Sequence, residues 1–201
     1  IYEMTTEDLI EENPVLSSPH PGTNGIWIFL FIDLNIFLLL FITYLSERLR
    51  LPELFAQAQS ALEPLFGLSN TLFLLSSSAA VAVAVNATRE NLTPRVRRAL
   101  LLGLLFGGLF CANKIVEYTL KIDAGITPAT NVFFGLYYAI TIIHFLHVLA
   151  GMIFLGHCWS VAHKEVGLLT YRRKIENVGL FWHIVDVLWL FIFPLLYLVG
   201  L

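Results

Sequence analysis

Five long apolar runs determine what this chain can fold into. They cover residues 26–45, 68–86, 99–121, 132–156 and 178–199. A helix needs about 20 residues to cross roughly 30 Å of hydrocarbon, so runs of this length match membrane spans. Because no water is present there to satisfy backbone N–H and C=O groups, each span must be helical. The sequence predicts an all-α fold, a polytopic transmembrane bundle of five helices.

The segments outside these runs indicate one membrane domain with a polar arm. We expect the domain to cover residues 26–201 and the arm to cover 1–25, which carries five acidic side chains followed by Pro, Ser and Gly. No cleaved signal peptide is expected, since no basic stretch with an apolar core precedes the first span. Residues 46–67, interrupted by Pro52 and Pro64, predict a short helix lying along the interface.

Small residues and one proline add local detail to the spans. Ser76 and Ala80 have a spacing that lets helix backbones approach closely, and Gly103 and Gly107 repeat it in the third span. Pro194 is expected to kink the last helix, because proline removes a backbone donor.

Composition and cysteine spacing exclude several classes of protein. Of the 201 residues, 57% are hydrophobic and 13% are charged, which is far from the composition of an ordinary soluble domain. The formal charge is only −3 and the basic residues form no continuous stripe, so nucleic-acid binding is not expected. Cys111 and Cys158 fall at different depths in their helices, and we expect no disulfide.

Lysine and arginine in the connections predict the orientation of the bundle. Connections 87–98 and 161–177 carry eight such residues, whereas the opposite side has only Arg48, Arg50 and Lys121. We call the face with these two connections the basic face. Since positive residues near spans tend to remain cytoplasmic, the N-terminus is predicted inside and the C-terminus outside.

Several ionisable side chains fall inside the predicted spans. Each costs a few kcal/mol at a helix centre and therefore needs a partner or trapped water. They are Asp33, Lys114, Glu117, His144, His147, His183 and Asp186. We interpret them, with Tyr118, as an intramembrane polar network that serves packing and assembly.

Helical spacing suggests two pairs within this set. Lys114 and Glu117 are three residues apart, with Tyr118 on the same face, which favours an internal ion pair over a proton-transfer step. His183 and Asp186 have the same spacing, and we expect the carboxylate to accept a hydrogen bond from the imidazole.

The remaining acid and histidines leave alternatives open. Asp33 has no local cation, so its partner is expected on a distant segment or another subunit, unless the acid is buried in its neutral form. His147 and His183 fall at similar depths, and one alternative is a redox subunit that holds haem between them. Hydrogen-bonded core histidines, including His144, are the favoured interpretation. A small transporter using Asp33 and Glu117 ranks last, because no internal repeats are present.

Five stretches of the chain resemble one known family. They are GIWIFLFIDLNIFLLLFITYL with Asp33, LSNTLFLLSSS, IVEYTLKI with Glu117, IIHFLHVLAG with His144 and His147, and ENVGLFWHIVDVLWLFIFPLLYL. From about Gly25 to Gly200 the chain resembles subunit III of the haem–copper oxidases in its shorter, five-helix form. The W-H-x-V-D-x-x-W string from Trp182 to Trp189 is the most specific part of the resemblance.

The resemblance implies a non-catalytic subunit of a respiratory terminal oxidase in a bacterial inner membrane. Such a subunit binds no haem or copper itself; both belong to the catalytic subunit I, which it accompanies together with subunit II. The family binds phospholipid between its helices and supports proton uptake and turnover stability in the catalytic subunit. The alternative within the resemblance is an accessory subunit of a nitric oxide reductase.

Overall fold

The computed structural model describes residues 22–198 as a bundle of long helices. Within this range the elements are α1 (Asn24–Arg50), α2 (Pro52–Gln59), α3 (Pro64–Arg89), α4 (Thr93–Asp123), α5 (Val132–Glu165), α6 (Leu169–Phe193) and a π-helical turn (Pro194–Leu198). The expected polar arm at 1–25 lies mostly outside the described residues. Its last two positions already belong to α1, because the helix begins at Asn24.

Five of these helices are long and apolar enough to cross a membrane, which confirms the predicted fold class. The short helix expected between the first two spans is α2, which begins at Pro52 and ends before Pro64. Proline at the first helical position costs nothing there, since that N–H has no intrahelical partner.

All five spans extend further than their apolar runs predict. The largest extensions are those of α4, which begins at Thr93 instead of residue 99, of α5, which continues to Glu165 instead of 156, and of α6, which begins at Leu169 instead of 178. These three extensions lie on the basic face, and α1 extends at the opposite face, to Arg50 instead of 45. The apolar run marks only the hydrocarbon layer, whereas the helix continues into the polar interface, where water satisfies charged side chains.

The helices pack as neighbours around α6. α3 and α4 form the most extensive contact, and α6 lies against both α3 and α5. α1 contacts only α5, α6 and the short α2 among the pairs with substantial contact in the described range. The first span is therefore the most peripheral of the five, and most of its surface is apolar and exposed.

Glycines allow a large aromatic ring to enter the centre of the bundle. Trp182 of α6 is almost fully buried. A Cβ atom added at Gly151 would lie 2.6 Å from Trp182 Cε3, and one added at Gly107 would lie 3.1 Å from its Cη2. Both predicted GxxxG glycines lie at helix contacts, since Gly103 O accepts a hydrogen bond from Ser77 Oγ at 2.7 Å.

The last helix changes from α to π at Pro194, and two carbonyls of the π-helical turn accept hydrogen bonds from side chains. Hydrocarbon cannot hydrate backbone acceptors, so such partners stabilise the turn. Tyr44 Oη donates to Leu195 O at 3.2 Å, and Gln59 Nε2 donates to Leu196 O at 2.8 Å. Side chains of α1 and α2 therefore hold the end of the last span in place.

Substituting Gly151 tests the packing of the Trp182 ring against this glycine. Gly151→Ala is expected to lower stability by about 1–3 kcal/mol, because the rigid Trp182 ring must move. Gly156→Ala, on the same helix with nothing within 4 Å of its added Cβ, should be neutral or stabilising. Thermal denaturation of the purified protein in detergent measures both. Equal stability of the two variants would contradict the packing described here.

Candidate functional site

A hydrogen bond between two helices pairs the acid in the first span. Asp33 Oδ1 lies 2.8 Å from His147 Nε2 of α5, and the Asp33 side chain is 6% exposed. His147 Nδ1 lies 2.7 Å from the carbonyl of Ile143, so both ring nitrogens have partners. The distant partner expected for Asp33 is therefore His147. This contact ties the peripheral α1 to the bundle.

A second polar group surrounds Lys114 and Glu117 of α4. Lys114 Nζ donates to Glu117 Oε2 at 2.9 Å, which confirms the predicted ion pair, and both side chains are almost fully buried. Glu117 Oε1 accepts hydrogen bonds from Tyr137 and Tyr197, both at 2.7 Å. Lys114 Nζ also donates to the same two hydroxyls, at 3.1 Å and 3.0 Å. Side chains from α4, α5 and the π-helical turn thus meet at one buried charge pair.

Aromatic rings enclose the ammonium group. Lys114 Nζ lies 4.9 Å from the ring centres of Tyr118 and Tyr137 and 5.6 Å from those of Trp189 and Tyr197. The negative faces of aromatic rings attract a cation, and the attraction is larger when water is absent. Tyr118 joins the group through its ring, as its position on the same helix face suggests.

His144 occupies a fully aromatic environment. It is fully buried between α1, α4 and α6 and contacts the rings of Phe37, Phe110 and Trp189, the last at 5.2 Å between centres. Neither of its ring nitrogens has a hydrogen-bond partner among the described residues. The expectation that His144 is a hydrogen-bonded core histidine is therefore not met among the described residues.

The fifth span pairs differently from the prediction. His183 Nδ1 lies 2.6 Å from Ser78 Oγ of α3 instead of bonding Asp186. Asp186 is buried and its Oδ1 atom has no partner within the described range. The i, i+3 spacing allowed a bond within the helix, but the neighbouring helix supplies a hydroxyl that spacing cannot reveal.

The histidines at similar depths, His147 and His183, each contact another side chain of the bundle. Within residues 22–198, no group of three or more His, Cys, Asp or Glu side chains could hold a metal ion. Ligation by His147 Nε2 would break its bond to Asp33. Apart from the Lys114–Glu117 pair and the contact of His147 with Ile143 O, these polar contacts run between different helices.

Sequence reasoning missed several partners in these groups. Tyr137 and Tyr197 donate two of the three side-chain hydrogen bonds that Glu117 accepts among the described residues, and Ser78 contacts His183. A buried tyrosine hydroxyl generally requires a partner, so tyrosines within spans were the available signal. Tyr137 and Tyr197 are 20 and 80 residues from Glu117 in sequence, so no local sequence pattern predicts these contacts.

Comparisons with known proteins agree with this architecture. The family model described as cytochrome c oxidase subunit III matches residues 18–201. A cytochrome bo(3) ubiquinol oxidase subunit 3 from Pseudomonas putida is 32% identical, covering 88% of this chain and 84% of that protein. A cytochrome c oxidase subunit 3 from Synechocystis is 31% identical, covering 89% of this chain and 77% of that protein. A probable quinol oxidase subunit 3 from Staphylococcus aureus is 26% identical and covers 95% and 96%.

These matches define a polytopic membrane subunit of a respiratory oxidase. The chain belongs to the cytochrome c oxidase subunit III family, as the resemblance of its five stretches suggested. It is a subunit III of a haem–copper oxidase, and it forms a complex with other oxidase subunits.

A double-mutant cycle measures the buried ion pair. Lys114→Met or Glu117→Gln alone is expected to destabilise the protein by about 3–5 kcal/mol, because each leaves one uncompensated buried charge. The double variant should lose clearly less than the sum of the two. Chemical denaturation in detergent gives the three values.

An exposed pair on the basic face provides the control for this cycle. Arg95 and Glu90 lie 3.8 Å apart and both are well exposed. Arg95→Met and Glu90→Gln should each change stability by less than about 1 kcal/mol. Additive losses at Lys114 and Glu117 would show that the two side chains do not interact.

Proposed function

We propose that this chain is a non-catalytic subunit that stabilises the catalytic subunit I of a terminal oxidase and supports its proton uptake, in a complex that also contains subunit II. The observation that carries the proposal is the inward pairing of charges. Asp33 binds His147, and Glu117 binds Lys114 and two tyrosines, so these acids are used to join helices. Such pairs make a rigid scaffold in a medium that does not hydrate charges.

The redox groups are assigned to the neighbouring subunit. Haem and copper are expected in subunit I, and none is proposed for this chain. The engagement of both ring nitrogens of His147 supports this assignment over the haem-holding alternative. Relatives named as ubiquinol and cytochrome c oxidase subunits favour an oxygen-reducing complex over a nitric oxide reductase.

An apolar groove supports the expected lipid contact. It lies between α1, α5 and α6, has a volume of about 320 Å³ and is lined by Ile26, Phe29, Phe154, Asn177, Val178 and Phe181. Its lining is almost entirely hydrocarbon and aromatic, and the groove ends near the basic face, where Thr23 N donates to Asn177 Oδ1 at 2.9 Å. We propose that an acyl chain of a structural phospholipid occupies it.

Removing this chain from the complex tests the proposed role. We expect the remaining complex to keep its haem absorption spectrum, because the cofactors belong to the partner. It should lose activity within fewer turnovers and take up protons more slowly. Oxygen consumption over time and proton uptake in proteoliposomes measure these effects, with the re-added chain as control. Loss of haem absorbance together with this chain would refute the assignment of the redox groups.

We further propose that the complex resides in a bacterial inner membrane with the basic face in the cytoplasm. The eight basic residues of the two connections support this orientation. An alkaline phosphatase fused after residue 201 should then be active, since this enzyme folds only outside the cytoplasm. The same enzyme inserted after Glu90, in the connection between α3 and α4, should be inactive. The reverse pattern would show the opposite orientation.

A further inference from the structure

A cleft opens between α3 and α6 at the basic face. It has a volume of about 200 Å³ and is lined by Ala82, Val85, Asn86, Arg89, Glu176, Gly179, Leu180 and His183. The residues of α3 and those of α6 run inward from the same face, since α3 ends there and α6 begins there. From Glu176 to His183 the cleft covers seven residues, or roughly 10 Å along the helix.

Charged side chains surround the mouth of the cleft. Glu176 Oε1 lies 3.4 Å from Arg89 Nη2 of α3 and 3.4 Å from Arg172 Nε of α6. Both arginines are about half exposed. A mouth of this composition is hydrated, because these groups retain water at the interface. The rim therefore brings solvent to the cleft.

The inner end of the cleft leads to a buried acid. His183 lines the cleft, and its Nδ1 atom lies 2.6 Å from Ser78 Oγ. The carboxyl of Asp186, one helical turn further in, interacts with the same hydroxyl and is only 6% exposed. Its Oδ1 atom has no partner among the described residues. A buried polar oxygen of this kind generally bonds to an ordered water.

A glycine leaves part of the space in the cleft unfilled. Gly179 belongs to its lining, and a Cβ atom added there would lie 3.1 Å from Val85 Cγ2. Any side chain at this position would occupy the space between α3 and α6. The opening is therefore a consequence of the sequence at this position.

We propose that this cleft is a water-filled, proton-binding site that connects the basic face to His183, Ser78 and Asp186. A proton added to His183 Nε2 gives an imidazolium whose Nδ1–H donates to Ser78 Oγ. Ser78 then passes its own hydroxyl proton to the Asp186 carboxylate while receiving the proton from Nδ1, which leaves His183 neutral. The site holds one proton inside the bundle, in exchange with solvent at the basic face.

Thiol labelling of the intact complex in proteoliposomes tests whether water enters. Val85→Cys places a thiol in the cleft, and Val83→Cys places one at a similar depth on the outer surface of the same helix. A charged, membrane-impermeant methanethiosulfonate, added at the basic face, should label the cleft thiol at least roughly tenfold faster, because only hydrated thiols ionise. The native Cys111 and Cys158 are buried, and mass spectrometry of peptides separates their signals.

Diethyl pyrocarbonate provides a second measurement that needs no variant. It reacts with neutral imidazoles that solvent reaches. In the unmodified complex His183 should be labelled, and its labelling should fall at low pH as the ring takes up a proton. The fully buried His144 should stay unlabelled, and the exposed His157 and His163 report that the reagent has reached the protein. Equal labelling of the two cysteine variants, or a His183 as unreactive as His144, would overturn the proposal.

Discussion

The exclusion of water from the interior governs this structure. A charged or polar group between the spans must find its partner in another part of the chain, and these partners decide which helices meet. The bond between Asp33 and His147 fixes α1, which otherwise has few neighbours. The group around Glu117 joins α4, α5 and the π-helical turn. The Trp182 ring, which packs against Gly151 and Gly107, then fills space between the helices that these bonds hold together.

The same demand explains the contrast between the two ends of the bundle. On the half away from the basic face, Lys114 and Glu117 bond to each other and to two tyrosines. Near the basic face, Asp186 and His183 find only Ser78 and a cleft that opens to solvent. One half is thus closed by side chains, and the other depends on water.

Much of the fold was predictable, because span length and local spacing are properties of short stretches. The five spans, the short α2 and the Lys114–Glu117 pair follow from them. The hydrogen-bond partners of the interior polar side chains were harder to predict from the sequence. Asp33 and His147 are 114 positions apart. His183 contacts Ser78 of another helix instead of Asp186 of its own helix. Only the packing of whole helices brings such residues together. Helix ends at the basic face were also predicted incorrectly, because the apolar run stops several residues before the helix ends.

Tyr197 lies 80 residues after Glu117, so the group around Glu117 is complete only when the fifth span is in place. Glu117 and Lys114 enter the membrane with α4, and Tyr137 follows with α5, but the last hydroxyl arrives only with the final turn. Tyr44 and Gln59 likewise meet their acceptors, the carbonyls of Leu195 and Leu196, only when this span is in place. A chain without the fifth span would lack the Tyr197 partner of Glu117. Insertion of the fifth span is therefore the step that completes the interior of the bundle.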